Sequence, residues 1–228
     1  DQENVEKAVH TTVAFGIVAS IVLTIVGVFF APQILVWMQT PANVMPESTE
    51  YFRVYFMGSA GFVMYNMFVG ILQAVGDSKH PLYYLILSSI INVVLDIVFI
   101  TVFDMGVGGA AFATDISQVV SAVLCMIQLM RSKAEYRLNL RKIRFEWDIF
   151  KQVIQFGLPS GFQNSIIAIA NVVVQSNINS FGEMAMAGCG AYSKIEGFGF
   201  LPITSFTMAL TTFVSQNLGA KNYERTKK

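Results

Sequence analysis

Charged side chains are scarce in this sequence. They make up only 13% of the 228 residues, whereas hydrophobic residues make up 54%, and the mean hydropathy is +0.55. A soluble domain typically carries about 25% charged residues. The 15 basic and 15 acidic residues cancel, so the net charge does not indicate a nucleic-acid partner. The composition is typical of a membrane protein or of a protein with a large apolar core.

Cysteine, histidine and the common catalytic motifs are also rare or missing. Cys125 and Cys189 stand among small or apolar residues, which predicts two buried thiols rather than a zinc site or a redox pair. His10 and His80 are far apart, so histidine-based catalysis has little support. No GxxxxGK[ST], GxSxG or HExxH motif occurs. We therefore predict that the chain is not an enzyme, binds no cofactor and does not use ATP directly.

Long apolar runs, by contrast, are abundant. A helix needs about 20 residues to cross the hydrocarbon layer of a bilayer, and several segments reach that length. The sequence therefore predicts an all-α polytopic membrane protein with six transmembrane helices. Their predicted ranges are 9–31, 51–75, 82–103, 109–130, 149–179 and 192–218.

Prolines and a start signal mark some predicted helix ends. Pro32 is expected to end the first helix, and the STE signal at 48–50 is expected to begin the second. The proline-rich stretch between them is too short to span a membrane, and Trp37 favours the membrane interface. The fifth helix is expected to break at the GLPSG sequence, residues 157–161.

Basic residues are sorted into alternate connections between the predicted helices. Thirteen of the 15 Lys and Arg residues precede the first helix or follow the second, fourth or sixth. The other connections carry none, and only Arg53 and Lys194 depart from the pattern. Cytoplasmic loops of membrane proteins carry such an excess of Lys and Arg. The pattern predicts a multi-pass protein of the cytoplasmic (inner) membrane, with both ends of this chain in the cytoplasm.

A polar, basic stretch divides the chain. We interpret residues 1–131 as four helices of an N-terminal lobe, 132–148 as a cytoplasmic basic linker, and 149–228 as the two helices that start a C-terminal lobe. The basic residues of the linker suit contact with anionic lipid headgroups. A solvated charge run explains them equally well.

Two polar residues interrupt the third predicted helix. Asn92 and Asp96 are four residues apart, so their side chains lie on one helical face. At about 1.5 Å rise per residue, Asp96 lies roughly 20 Å into the membrane. An unpaired carboxylate there costs at least about 2.5–3.5 kcal/mol, which marks a functional candidate. By contrast, Asp115 lies near the outer end of the fourth helix, where we expect partial solvation to lower its cost.

Asp96 suits two functional roles and one structural role. It can bind Na⁺, with the Asn92 amide oxygen as a second hard ligand. Alternatively, it can take up and release a proton, because burial favours the neutral acid. The structural alternative is a hydrogen bond between helices, to Thr114 or Ser117.

The fifth and sixth predicted helices carry further candidates. Pro159 and Pro202 each remove a backbone hydrogen bond and favour a kink, which serves either as a hinge or as static shape. Amides on the fifth helix can bind a ligand in a cavity or hydrogen-bond neighbouring helices. These substrate-cavity candidates are Gln163, Asn164, Asn171 and Gln175.

Several motifs in register resemble one family. GILQAVGDSKHP, NVVLDIVFI and GVGGAAFAT are similar to the multidrug and toxic-compound extrusion (MATE) family, while IQFGLPSGFQNS and FVSQNLGAKNYERTKK are similar to the opening of its second half. The resemblance covers nearly the whole chain and is greatest to the DNA-damage-inducible-protein-like branch. It implies a twelve-helix, two-lobe transporter, of which this chain is a partial piece holding the third to eighth helices.

The resemblance also implies a coupling site in the first lobe. Some members of the family bind a cation there with Asn and Asp of the fifth helix and Thr of the sixth. Those positions match Asn92, Asp96 and Thr114 of this chain. The family site takes another Asp from its first helix, which this sequence does not contain. Some members place a Glu in the seventh helix, but amides and apolar residues occupy 163–171 here, which disfavours a second-lobe cation site.

These observations lead to a functional prediction with two alternatives. The chain is expected to belong to a Na⁺- or H⁺-coupled antiporter that exports amphipathic, often cationic, drugs or toxins. One alternative is a lipid-linked oligosaccharide flippase of the same superfamily, which should carry several cationic residues inside its helices; only Lys194 approaches this. The other is a non-transporting membrane scaffold. Apart from the bilayer and a small-molecule substrate, neither nucleic acid nor an obligate protein partner is expected.

Overall fold

The structure is a computed structural model that describes residues 2–37, 43–132, 134, 136–181 and 183–226. These residues form helices joined by short connections and contain no β-strand. A π-helical segment, Val98–Val102, follows the fourth helix directly, and a short 3₁₀ turn occupies Leu140–Lys142. The α-helices are α1 (Gln2–Trp37), α2 (Met45–Met57), α3 (Ser59–Ala74), α4 (Lys79–Ile97), α5 (Gly106–Arg131), α6 (Trp147–Ser180), α7 (Glu183–Gly219) and α8 (Tyr223–Thr226).

The first helix is longer than the sequence predicted. It continues through Pro32 to Trp37, so the prediction that Pro32 ends it is wrong. Membrane helices tolerate proline because neighbouring groups can satisfy the freed carbonyl. The second predicted helix also begins earlier, since α2 starts at Met45 with Pro46 in its first turn, a position where the missing N–H costs nothing. Residues 38–42 of the predicted interfacial segment lie outside the described residues.

The predicted helix 51–75 is divided into two. Helices α2 and α3 meet at Gly58 with a bend of 46°. The Gly58 N–H still donates to the Val54 carbonyl at 3.2 Å, while Gly61 N–H donates to the Gly58 carbonyl at 2.9 Å, a tighter turn than an α-helix makes. The chain therefore changes direction at Gly58 with its backbone groups still bonded.

Helices α6 and α7 contain their prolines without interruption. Helix α6 runs continuously past Pro159, so the predicted break at 157–161 is wrong. Helix α7 likewise continues past Pro202 and begins at Glu183, nine residues before the predicted start. A long helix loses only a local hydrogen bond at an internal proline and can bend there without ending.

Several helices are suited to a membrane by length and composition. In the described part, Glu3–Trp37, Lys79–Val102, Gly106–Arg131 and Gly188–Gly219 are each long and apolar enough to cross it, and the bent pair α2–α3 makes a fifth span if counted as one. Helix α6, with 34 residues, is long enough but is not among them.

The chain divides into two units, Asp1–Phe150 and Lys151–Lys228. The core of the first unit combines side chains from α1, α3 and α5, and the linker contributes Leu138, which is 1% exposed. Cys125 lies in this core, as predicted, but Cys189 is only half-buried, so the prediction of a second buried thiol is wrong. The other buried apolar residues of the core are Val9, Val13, Phe68, Ile71, Leu72, Ala122 and Leu129.

The second unit exposes apolar side chains along its helices. On α7, Phe198 and Phe206 are 77% and 78% exposed. Near its end, the Asn217 amide donates to the Phe213 carbonyl at 2.7 Å, and the Arg225 guanidinium of α8 lies 5.7 Å from the Phe213 ring centroid. An apolar helix surface of this kind is suited to lipid or to further membrane helices.

A buried hydrogen bond joins α4 to α5. The Ser88 hydroxyl donates to the Ser117 carbonyl at 2.7 Å, and both residues are buried. Changing Ser88 to Ala is expected to lower the free energy of unfolding by about 1 kcal/mol, because the buried hydrogen bond between the two helices is lost, although the Ser117 carbonyl still accepts from the Ser121 hydroxyl at 3.1 Å. Thermal unfolding of the purified chain in detergent would measure the change.

Ser89 provides the matched control for that prediction. Its hydroxyl donates to the Leu85 carbonyl of its own helix, and the contact is exposed. Ser89→Ala should therefore leave the unfolding temperature nearly unchanged. Equal effects at the two serines would mean that the contact between the helices contributes nothing.

Candidate functional site

The proposed coupling residues lie on α4 and α5, which pack side by side. Asn92 and Asp96 are half-buried on one face of α4, whereas Val93 and Ile97 are each 57% exposed. This division follows from the helical period, which turns positions 92 and 96 the same way and the branched residues outward. The polar face of α4 is thus directed toward protein, and its apolar face is available to lipid.

The structure brings Asn92 and Thr114 together. The Asn92 amide nitrogen donates to the Thr114 hydroxyl at 3.5 Å, and that hydroxyl donates to the Ala110 carbonyl at 3.0 Å. The first contact is at the long limit of a hydrogen bond. This arrangement leaves the Asn92 amide oxygen available as an acceptor.

Asp96 lies one turn further along α4 and has an unusual environment. Its Oδ1 atom is buried and has no hydrogen-bond partner within the described residues. No salt bridge of that part of the chain involves Asp96. A buried acceptor without a partner costs about 1–3 kcal/mol, and more when charged. A proton or a monovalent cation would remove that cost, and the three oxygen-bearing side chains are of the type that hard cations prefer.

Gln118 is a further polar residue of this region that the sequence analysis missed. It follows Thr114 by four residues, so both face the same side of α5. Its Oε1 atom is also buried without a partner in the described residues. The pairs Ser88–Ser117 and Asn92–Thr114 show that α4 and α5 run antiparallel. Asp96 and Gln118 therefore lie on opposite sides of the Asn92–Thr114 contact, and the i, i+4 spacing was the signal for Gln118.

A π-helical segment begins two residues after Asp96. At Val98–Val102 the hydrogen bonds span more than the four residues of an α-helix, so that Phe103 N–H donates to the Val98 carbonyl, five residues earlier, at 3.1 Å. Met105 N–H donates to the Phe99 carbonyl at 2.9 Å. Such segments are rare and often lie at functional sites. Nothing in the apolar sequence of this stretch predicted it.

Asp115 is more deeply buried than predicted. Its side chain is 8% exposed, so the expectation of partial solvation is wrong. The carboxyl group lies against Gly58, where a Cβ atom would overlap it. Nearby, a Cβ on Gly61 would approach the Val119 backbone nitrogen to 2.9 Å. Gly58, between α2 and α3, and Gly61 of α3 thus permit α5 to approach closely enough to cover Asp115.

The candidates on the second unit lie on long, exposed helices. Gln163, Asn164 and Asn171 are exposed on α6, and the Gln175 side chain lies outside the described part of the structure. Pro159 and Pro202 lie inside continuous helices. Neither a cavity at the amides nor a hinge at the prolines is tested by the described residues, so these roles stay predictions.

Comparison with known proteins agrees with this architecture. The family model MatE matches residues 1–98 and 159–228, which is more than half of the chain. A probable multidrug resistance protein, YoeA of Bacillus subtilis, is 27% identical over the whole chain and 50% of its own length. The probable multidrug resistance protein NorM of Thermotoga maritima is 24% identical over 98% of this chain and 49% of its own.

A solved structure has the same fold. It is a MOP superfamily transporter from Pyrococcus furiosus, with a TM-score of 0.89 and 26% identity over 100% of this chain and 51% of that one. The helical fold, the apolar spans and this likeness define a polytopic α-helical membrane protein with the fold of that transporter. With the family match, they show that the chain belongs to the MATE family of multidrug efflux transporters. The chain spans about half the length of the relatives that it matches.

Proposed function

We propose that this chain forms part of a cation-coupled antiporter that exports amphipathic, often cationic, small molecules across the cytoplasmic membrane, with both ends of the chain in the cytoplasm. Membership of the MATE family supports drug export. The observation that carries the coupling is the Asp96 Oδ1 atom, which is buried without a partner in the described residues. An export protein of this kind performs no covalent chemistry, so no enzymatic activity is proposed.

Asp96, Asn92 and Thr114 would hold the coupling ion. If the ion is Na⁺, the Asp96 carboxylate supplies the negative charge, and the Asn92 amide oxygen and the Thr114 hydroxyl supply neutral oxygen ligands. If the ion is H⁺, the Asp96 carboxylate accepts it and becomes a neutral acid. Either ion removes the cost of a buried, unpaired charge.

Coupling requires that the ion favour one conformation over another. An ion that bound both orientations of the transporter equally would shift no equilibrium. The π-helical segment Val98–Val102 lies directly beyond Asp96, and the 46° bend between α2 and α3 lies in a helix pair that packs against α5. Both are departures from regular helix in elements that surround the ion-binding residues. They are the places where ion occupancy could alter helix geometry.

Export is favoured over transport of lipid-linked oligosaccharides. A pyrophosphate-linked substrate needs several cationic residues within the helices. The predicted spans contain three basic residues, Arg53, Lys151 and Lys194, and all three are exposed and lie near helix ends predicted from the sequence. The apolar, amide-bearing surface of α6 is better suited to an amphipathic molecule.

Dye export from inverted membrane vesicles tests the proposal. The vesicles would contain a transporter that joins this chain to the remaining helices of its family. We expect an imposed gradient of one ion, Na⁺ or H⁺, to drive dye transport, and the other to have no effect. Transport that required neither gradient would reject the coupling.

A further inference from the structure

A charged cavity lies between the start of α1 and the linker. Its volume is about 400 Å³. Residues of the first three turns of α1 form one wall, and residues of the linker form the other. The lining residues are Glu3, Glu6, Lys7, His10, Arg141, Lys142, Ile143, Arg144 and Glu146.

Ion pairs neutralise every acid of this cavity. Glu3 pairs with Lys7 at 2.7 Å, Glu6 with Lys142 at 2.8 Å, and Glu146 with Arg144 at 3.2 Å. No salt bridge between described residues engages the remaining base, Arg141, whose side chain is exposed. The cavity therefore carries one uncompensated positive charge, on a guanidinium group that can bind phosphate through two parallel hydrogen bonds.

The linker wall of the cavity is held in place by contacts with α1 and α5. The buried His10 ring accepts a hydrogen bond from Asn139 N–H at 3.1 Å, and the Thr11 hydroxyl accepts one from Glu146 N–H at 3.3 Å. Leu138 is buried in the core, and its N–H donates to the Leu129 carbonyl at 3.1 Å. The cavity is thus preformed, which lowers the entropic cost of binding a ligand.

Exposed aromatic side chains adjoin the cavity. Phe145 follows the lining residue Arg144, and its ring centroid lies 6.0 Å from that of Trp147 and 4.5 Å from that of Phe150. Phe145 is 43% exposed and Trp147 is 60% exposed. Aromatic rings of this kind concentrate at the boundary between hydrocarbon and headgroups.

The cavity lies next to the ends of two membrane-spanning helices, where lipid headgroups are expected. Its α1 residues directly precede and overlap the start of the apolar part of that helix, and the linker follows the end of α5 at Arg131. The segment from Glu3 to His10 rises about 10 Å along the helix axis. The polar layer of a bilayer is about 5–7 Å thick on each side. With the apolar part of α1 placed in the hydrocarbon, this segment would extend through the headgroup layer on the side where the linker lies, so the cavity would open into that layer.

We propose that this cavity binds the headgroup of one anionic phospholipid. Arg141 contacts the phosphodiester, while Phe145 and Trp147 lie beside the glycerol backbone and upper acyl chains. A net charge of one in the cavity complements the single negative charge of a phosphatidylglycerol headgroup. The inference depends on the membrane placement of the chain and not on ion coupling, so it can fail or succeed independently of the proposed transport.

Quenching of Trp147 fluorescence by brominated lipids tests this site. The chain has two tryptophans, so Trp37→Phe leaves Trp147 as the only one. In detergent micelles, the chain is titrated with brominated phosphatidylglycerol and, separately, with brominated phosphatidylcholine. We expect preferential quenching by phosphatidylglycerol, and Arg141→Gln should reduce that preference about fivefold, the effect of one basic group at a membrane surface.

Arg131→Gln is the matched control, because it removes the same charge from the end of α5 outside the cavity. It should leave the preference for phosphatidylglycerol unchanged. If Arg131→Gln and Arg141→Gln reduced the preference for phosphatidylglycerol equally, the preference would arise from general attraction between the basic surface and the lipid, and the proposal would be overturned. Displacement of the lipid by equimolar inorganic phosphate would also overturn it, since it would indicate a phosphate site.

Arg141→Lys separates recognition from loss of folding. Lysine keeps the charge but lacks the forked geometry that binds two phosphate oxygens. We expect a partial loss of the preference for phosphatidylglycerol. If Arg141→Gln does not fold, an unchanged preference in Arg141→Lys overturns the proposal.

Discussion

Asp96→Asn is expected to lower ion-driven export about 5–150-fold, the range that typical coupling free energies between two sites produce. Asparagine has nearly the same shape as aspartate but carries no charge and cannot take up a proton at the same atom. The Oδ1 position of Asp96 would no longer need a cation, because the neutral amide is far less costly to bury. Dye transport into inverted vesicles under the driving gradient measures the loss.

Asp104→Asn is the matched control for this substitution. Asp104 lies in the connection between the π-helical segment and α5, is exposed, and has a φ of 51°. Asparagine tolerates that left-handed conformation as well as aspartate does, so the backbone should not change. Export should remain close to that of the unmodified transporter.

The pair of variants also separates a transporter from a membrane scaffold. A scaffold would show no dependence on Asp96 in any transport measurement. If Asp96→Asn and Asp104→Asn behaved alike, the buried carboxylate would have no part in coupling, and Asp96 would serve a structural purpose.

Gly58→Ala is expected to lower the free energy of unfolding by about 1–3 kcal/mol, the usual cost of adding a methylene to a closely packed site. The new methyl group would occupy the space of the Asp115 carboxyl group. Helix α5 or the α2–α3 bend would have to move to make room. Thermal unfolding of the purified chain in detergent measures the effect.

Gly70→Ala in α3 is the matched control. A Cβ atom at Gly70 meets nothing within 4 Å. Alanine should raise the free energy of unfolding there by about 0.5–1 kcal/mol, because it restricts the unfolded chain. If the free energy of unfolding falls in Gly58→Ala and rises in Gly70→Ala, the contact of Gly58 with Asp115, and not helix propensity, determines the effect of Gly58→Ala.

A double-mutant cycle assigns the Gly58 effect to Asp115. In an Asp115→Ala background the carboxyl group is absent, so the methyl group of Gly58→Ala has space. We expect the two substitutions together to cost clearly less than the sum of their separate costs. Additive costs would mean that the clash at Gly58 involves other atoms.

Much of the helix pattern was predictable from the sequence. The apolar runs located the cores of all the long helices, because a helix in a membrane must be apolar over about 20 residues. Their ends were less predictable: Pro32 does not end α1 and Pro159 does not break α6, since a helix within a protein can bend at a proline and continue. Gly58 and Gly70 look alike in the sequence, yet only Gly58 marks a bend.

The candidate site was predictable in part. Asn92 and Asp96 share a face because of their spacing alone, and the resemblance to the MATE family indicated Thr114 as their neighbour. The depth of Asp115 depended on how closely α5 approaches α2 and α3, which small residues on the opposing helix permit. The position of the linker depended on single contacts, such as that of His10 with Asn139, which no local pattern reveals.

The sequence by itself determined that this chain is a helical membrane protein, where its helices lie and which polar residues share a face, because hydropathy and helical period act within one segment. Only the tertiary structure decided which faces meet. That choice leaves the Asp96 Oδ1 and Gln118 Oε1 atoms buried without partners in the described residues, covers Asp115, and closes the linker over the start of α1. Such features depend on distances between residues far apart in the chain, and these are determined by packing between helices.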